Sequence, residues 1–369
     1  MIWTLLIFVV ILGLIVIIHE LGHFLTAKRL GVRVDEFGIG FPPRIFGIQR
    51  GETDYTVNLI PIGGFVKIHG EDGGNEHDSR SLGNRPAWQR LLVLSAGVGM
   101  NILLAAVLFS FGFSIGLPSV VDNNTQAKSI RDLKVQIVSV NENTPASDAK
   151  LQPGDQIVSI DQTPINSIEQ IENYNKTRAE QSVVVSIIRS SNKLDVPILL
   201  KNLDGSGDGK MGVSLVETGI TSFSIPTAIY LGFKNTFIYL WAIIVSFYTL
   251  IKNLFIGQPV GADVAGPIGI AVLTGQVAKL GFMYLLQFTA LLSLNLAVIN
   301  FVPFPALDGG RALFVTIEKI RGKKINRDIE SAIHNIGFTL LLILVALVTL
   351  RDLTKFGGSI VGFVKNIFT

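Results

Sequence analysis

Residues Ile2 to Phe24 read IWTLLIFVVILGLIVIIHELGHF. From Ile2 to Ile18 no side chain is charged, and the apolar run then ends abruptly in His19, Glu20 and His23. An α-helix needs about 20 predominantly apolar residues to cross a bilayer core. No Lys or Arg precedes Lys28 and no small-residue cleavage site follows the run, so the basic start and processing signal of a secretory leader are both missing. The segment reads as a retained transmembrane helix. Its ionisable end is costly to desolvate, which marks it as a functional position.

His19-Glu20-Leu21-Gly22-His23 is an H-E-x-x-H sequence. Histidines four residues apart share a helix face, so both imidazoles can reach one zinc ion while the Glu between them serves as base toward the attacking water. Catalytic zinc sites normally take a third protein ligand, and the chain contains no cysteine, so another His, Asp or Glu is required at the same membrane depth. Asp308 fits. It closes the uncharged stretch Gly281 to Leu307 within Asn300 to Gly310, NFVPFPALDGG, where Pro303 and Pro305 interrupt the helix and free the backbone to aim a side chain inward.

The whole composition agrees with a membrane setting: 369 residues are 49% hydrophobic and only 16% charged, too apolar for an ordinary soluble protein. A net charge of +3 gives no argument for a nucleic-acid partner. Further spans are expected at Leu91 to Val121, Gly281 to Leu307 and Ser331 to Leu350. Basic residues at Lys28, Arg29 and Arg33, and at Lys319, Arg321, Lys323, Lys324 and Arg327, put the loops that carry them on the cytoplasmic side and the N-terminus outside. The stretch Ile225 to Ile251 carries only Lys234. If the helices ending at His19 and Asp308 are to meet, both run inward, so this stretch is expected to be interfacial or re-entrant rather than a full crossing.

Residues 122–216 alternate β-branched runs with turns and read as one small extracytoplasmic domain. Asn143 to Asp161, NTPASDAKLQPGDQIVSID, together with a helix over Ser167 to Arg178 and the strand KMGVSL from Lys210 to Leu215, resembles a circularly permuted bacterial PDZ domain. The glycine-rich stretch Gly205 to Gly209 is expected to be a loop inside it. The expected architecture is therefore membrane α-helical, with four transmembrane helices, an interfacial or re-entrant helix, a membrane-associated β-hairpin and one inserted α+β PDZ domain. The segments are 1–121 with the H-E-x-x-H motif and hairpin, 122–216, 217–281 for the interfacial region, and 282–369 with the LDG motif.

Together HELGH, IPIGGFVK (Ile60 to Lys67), VAGPIGIA (Val264 to Ala271) and NFVPFPALDGG resemble the site-2 protease family of intramembrane zinc metalloproteases, in the bacterial RseP-type form. The resemblance spans nearly the whole chain. It departs in one respect, since the best-known members carry two tandem PDZ domains and this chain has room for one. The resemblance implies that His19, His23 and Asp308 bind zinc with Glu20 as base, in a multi-pass protein of the bacterial cytoplasmic membrane. It implies single-span substrates already shortened outside, such as anti-sigma factors or remnant signal peptides.

A substrate helix must unwind before its amides can be cut, and the extended strand then needs partners. Thr53 to Ile68 alternates like a β-hairpin, and Gly63-Gly64, with Phe65 and Val66, lets its edge approach a substrate backbone. Asn295 and Asn300 are polar groups at the depth of the site, able to hold substrate or an oxyanion, and the resemblance favours Asn300. A competing reading is a non-catalytic membrane scaffold that recruits partners through its PDZ domain. Such a scaffold has no need of all four metal and base groups.

Overall fold

The computed structural model describes residues 2–71, 78–121, 125, 127–176, 178–189, 192–203, 207–257 and 265–368. The domain start at Asp122, Gly205 of the glycine-rich stretch and Val264 of VAGPIGIA lie outside the described residues. In chain order the elements are α1 (Ile2–Arg29), β1 (Val34–Arg50), β2 (Thr53–Ile68), α2 (Ala87–Ile115), β3 (Leu117–Val120), β4 (Ser129–Val140), α3 (Pro145–Asp148), β5 (Gln156–Ile160) and β6 (Thr163–Pro164). There follow α4 (Ile168–Asn175), β7 (Ser182–Arg189), β8 (Asn192–Leu199), β9 (Val213–Ser222), α5 (Ile225–Ile256), α6 (Pro267–Leu280), α7 (Phe282–Phe301), α8 (Asp308–Arg321) and α9 (Arg327–Phe368). Two compact units result, one of residues 1–110 with 229–369 and one of residues 111–228.

In the first unit, α1, α2, α5, α7 and residues 328–355 of α9 are long and apolar enough to cross a membrane. Many of their exposed side chains are large and apolar, among them Trp3, Leu5, Leu92, Val107, Trp241, Leu340 and Leu344. A small apolar cluster of Ala27, Val32, Val34, Ile68, Leu82 and Val93 fixes the end of α1, the base of the hairpin and the start of α2 to one another. That cluster sets where the hairpin stands. Within the hairpin, Glu36 to Ile39 of β1 pair with Asp54 to Val57 on one side and with Lys67 to Gly64 on the other, so the second half of β2 is an edge.

The second unit is a seven-stranded sheet in the order β3-β9-β4-β5-β7-β8, with β6 on β5. Its core is aliphatic, built on Val135, Ile137, Ile157, Ile160, Val185, Ile187 and Leu200. Full burial of each such side chain stabilises by roughly 1.5–3 kcal/mol. The expected boundaries differ from the observed ones at both ends. Helix α2 stops at Ile115, not Val121, because Gly116 takes φ +137° and Pro118 follows. The chain then forms β3, which pairs with the far end of β9 beyond residue 216. A strand of four residues leaves no periodicity to read.

Asp155 ties β5 to β7 through two hydrogen bonds donated by Arg189, at 2.7 and 2.6 Å. Burial disfavours the ionised carboxylate, but Arg189 and the Gln152 N–H outweigh it and hold Asp155 below the ordinary carboxylate range. A carboxyl whose folded pKa is depressed adds stability above its unfolded pKa and loses it as pH falls through the folded value. Asp155→Asn is therefore expected to cost this unit about 2 kcal/mol at neutral pH. The cost should vanish in strong acid, and hydrogen exchange of the β5 and β7 amides against pH reads both.

Candidate active site

His19 and His23 lie one turn apart near the end of α1 and are 4% and 5% exposed. Asp308, 289 positions from His19, brings Oδ2 to 2.9 Å from His19 Nε2 and 3.3 Å from His23 Nε2. The two Nε2 atoms are 3.2 Å apart. Three donor atoms thus face one small volume, and among the described residues this is the group of His, Asp and Glu side chains able to hold a metal ion.

The path of the chain to Asp308 follows from local sequence. Helix α7 ends at Phe301, ahead of Pro303 and Pro305, and Ala306 turns the chain with φ +79°. Its N–H donates to His334 Nδ1 on α9 at 2.8 Å, which anchors the turn. Asp308 then opens α8, where the positive end of the helix dipole favours its charge. Gly309 and Gly310 let that first turn sit directly on the preceding loop, since a Cβ would meet the Phe301 carbonyl oxygen at 2.3 Å and that of Phe304 at 2.2 Å.

Helix α2 closes the back of the cluster with residues four apart. Val93 O accepts a hydrogen bond from His23 Nδ1 at 2.8 Å, which directs His23 Nε2 into the cluster. Gly97 leaves room for both rings: a Cβ there would stand 2.3 Å from His23 Nε2 and 2.7 Å from His19 Nε2. Asn101 puts Nδ2 3.3 Å from His19 Nδ1. Gly22 makes the reciprocal approach, its would-be Cβ 2.4 Å from the Ala96 carbonyl oxygen. Sequence reasoning missed this whole stripe of α2.

Glu20 sits beside the cluster and faces the hairpin, with Gly64 packed near its Cγ. Gly63 and Gly64 are buried; Gly63 takes φ +85°, and a Cβ on Gly64 would lie 2.8 Å from the Gly38 carbonyl oxygen. Phe65 covers Gly38, and Val66 packs toward the cluster at the hairpin base. Asn300 reaches the site, its Nδ2 3.2 Å from His19 Nε2. Asn295 Nδ2 donates instead to Leu291 O in its own helix at 2.9 Å.

Residues 7–344 match peptidase family M50, most of the chain and both halves of the cluster. The chain belongs to peptidase family M50. This M50 peptidase is 36% identical to the Clostridium perfringens protein CPE1693 over 342 residues, covering 92% of this chain and 95% of that one. It is 31% identical to the regulator of sigma-W protease RasP of Bacillus subtilis, covering 95% and 98%, and 30% identical to the zinc metalloprotease RasP of Bacillus licheniformis, covering 95% and 99%. Solved structures similar to parts of it include the PDZ domain of a Listeria innocua SdrC-like protein, at 24% identity, TM-score 0.21, 22% of this chain and 92% of that one. Another is a Geobacillus thermodenitrificans domain at 34% identity, TM-score 0.20, 22% and 94%.

Membership makes the chain a membrane-embedded zinc metalloprotease of the site-2 type, and the scaffold reading loses its ground. The side chains of this M50 peptidase suit zinc, for which imidazole nitrogens and a carboxylate oxygen are ordinary donors. The Gly97 notch points the same way, because it preserves ring positions that any larger residue would destroy.

Proposed function

We propose that His19, His23 and Asp308 hold the catalytic zinc and that Glu20 is the general base of an intramembrane peptidase. One observation carries this: the meeting of both imidazoles with a carboxylate from 289 positions away, beside Glu20, which accepts from the Val66 N–H. Zinc would supply Lewis acidity, lowering the pKa of a water toward about 7. Glu20 takes the proton of the attacking water and passes it to the leaving amine. Asn300 Nδ2 is a donor beside His19, suited to an oxyanion or to the substrate backbone.

The substrate strand is held along the outer edge of Gly63 to Val66, where Glu20 meets the Val66 N–H, by strand addition. The hairpin itself dips into lipid. Phe41, Ile45, Phe46, Ile48, Leu59 and Ile60 are exposed apolar residues, a surface that suits lipid better than water.

Four helices cross the bilayer in this reading, and α5 does not. Helix α6 is tied to the end of the bundle away from the site: Gly275 packs on Thr4, and Asp352 Oδ2 accepts from Gly269 N at 2.7 Å. Thr4 stands about 22 Å along α1 from His19. Only seven residues separate Gly257 from Ala265, eight steps with a reach of roughly 27 Å, so an α5 that had crossed a core of about 30 Å could hardly return the chain to α6. Residues 122–216 then form an extracytoplasmic PDZ domain, and the site lies near the cytoplasmic face of a bacterial inner membrane. With no native cysteine, single cysteines at Ser167 and Lys323 should label from opposite sides; labelling from one side contradicts the topology.

The substrates are single-span membrane proteins, anti-sigma factors and signal-peptide remnants among them, since RasP is named as a regulator of sigma-W. Comparison of membrane proteomes from cells expressing wild type and Glu20→Gln tests this. Single-span fragments should accumulate with the variant, and identical proteomes would refute the assignment.

A further inference from the structure

Asn101 is fully buried in the middle of α2, and its Oδ1 has no hydrogen-bond partner. Its Nδ2 faces His19 Nδ1 at 3.3 Å, while His19 Nε2 faces Asp308 Oδ2 at 2.9 Å. In this arrangement the Asn101 amide donates toward His19 Nδ1, while Nε2 faces Asp308 Oδ2 at 2.9 Å and Asn300 Nδ2 at 3.2 Å. A His19 that ligates through Nε2 needs its proton on Nδ1, because the lone pair must face the metal. Nδ1–H then requires an acceptor, and the donor Nδ2 would oppose it.

The amide resolves the conflict by turning over. Rotation by about 180° exchanges two groups of nearly equal size, so Oδ1 comes to the place that Nδ2 holds. Nothing else need move. The backbone of this residue is already pinned, because Ser293 Oγ on α7 donates to Asn101 O at 2.9 Å. Val93 O serves the same purpose for His23 two turns earlier, but a carbonyl can only accept, whereas a side-chain amide can both donate and accept.

We infer that Asn101 is a positioning residue for zinc, whose Oδ1 accepts the Nδ1–H of His19 in the loaded enzyme and fixes its tautomer and ring direction. This rests on the reading of His19 as a ligand. Groups that orient metal-bound histidines are worth about 10–100-fold in metal affinity.

The test is zinc affinity of the full-length protein in detergent, by chelator competition, for wild type, Asn101→Leu, Asn101→Asp and His19→Ala. Melting of each zinc-free protein is measured alongside. Asn101→Leu, similar in size but without an acceptor, should bind zinc about 10–100-fold more weakly while melting like wild type without metal. Asn101→Asp keeps an acceptor in both orientations and should stay within about threefold of wild type. If the Leu variant fails to fold, Asn101→Ala takes its part.

Wild-type affinity in the acceptor-less variant would overturn the inference. So would equal weakening in Asp and Leu, which would mean that packing and not the acceptor matters. A His19→Ala protein with undiminished affinity would instead remove His19 from the ligand set, a failure of the earlier reading that this comparison separates from the failure of Asn101.

Discussion

Glu20→Gln is expected to lower cleavage of a purified single-span substrate by about 10²–10⁴-fold, the usual worth of a positioned general base. The change keeps the size and hydrogen-bonding reach of the side chain, and Glu20 is not among the three converging donor groups, so zinc content should stay at the wild-type level. Single-turnover cleavage in micelles, with metal analysis of the same samples, measures both quantities. Activity within a few-fold of wild type would move the base elsewhere; lost zinc would make Glu20 a structural neighbour of the metal instead of its chemical partner.

Gly97→Val should be nearly as damaging by a different route. A Cβ at this position would stand 2.3 Å from His23 Nε2, 2.7 Å from His19 Nε2 and 2.7 Å from His19 Cε1, far inside van der Waals contact. Either α2 backs away or both rings turn aside. Retreat also breaks the bond from His23 Nδ1 to Val93 O and opens the close approach of Gly22 to Ala96. Small residues at such crossings are what allow membrane helices to pack backbone to backbone. Zinc affinity is therefore expected to fall on the order of 10²-fold or more, with the protein still inserted in the membrane, as chelator competition on purified variant would record. Wild-type affinity in Gly97→Val would contradict the close packing of α2 on the two histidines.

The three converging donors are legible in the sequence because their signals are local. Spacing by one helical turn puts His19 and His23 on one face, and Pro303 with Pro305 announces the break that turns Asp308 inward. The α2 stripe was not legible, for a physical reason. That helix is apolar all round, since one side meets lipid and the other meets protein of similar polarity, so nothing in its pattern says which residues turn toward α1. Gly97 and Asn101 acquire meaning only once the histidines stand opposite them.

Asn295 and Asn300 illustrate the limit of reasoning from depth alone. Five residues on a helix correspond to about 140° of rotation, so the two amides leave α7 in different directions. Asn300 meets His19 while Asn295 bonds its own helix. The hairpin was expected from its alternation, yet its double register, in which β1 pairs with both halves of β2, depends on long-range pairing that alternation does not encode.

Anomalous scattering at the zinc edge from crystals of the zinc-loaded protein tests the central claim most directly. The expected result is a single strong peak within about 2.0–2.2 Å of His19 Nε2, His23 Nε2 and one Asp308 carboxylate oxygen. A peak held by other side chains, or one that leaves Asp308 beyond bonding distance, would contradict it.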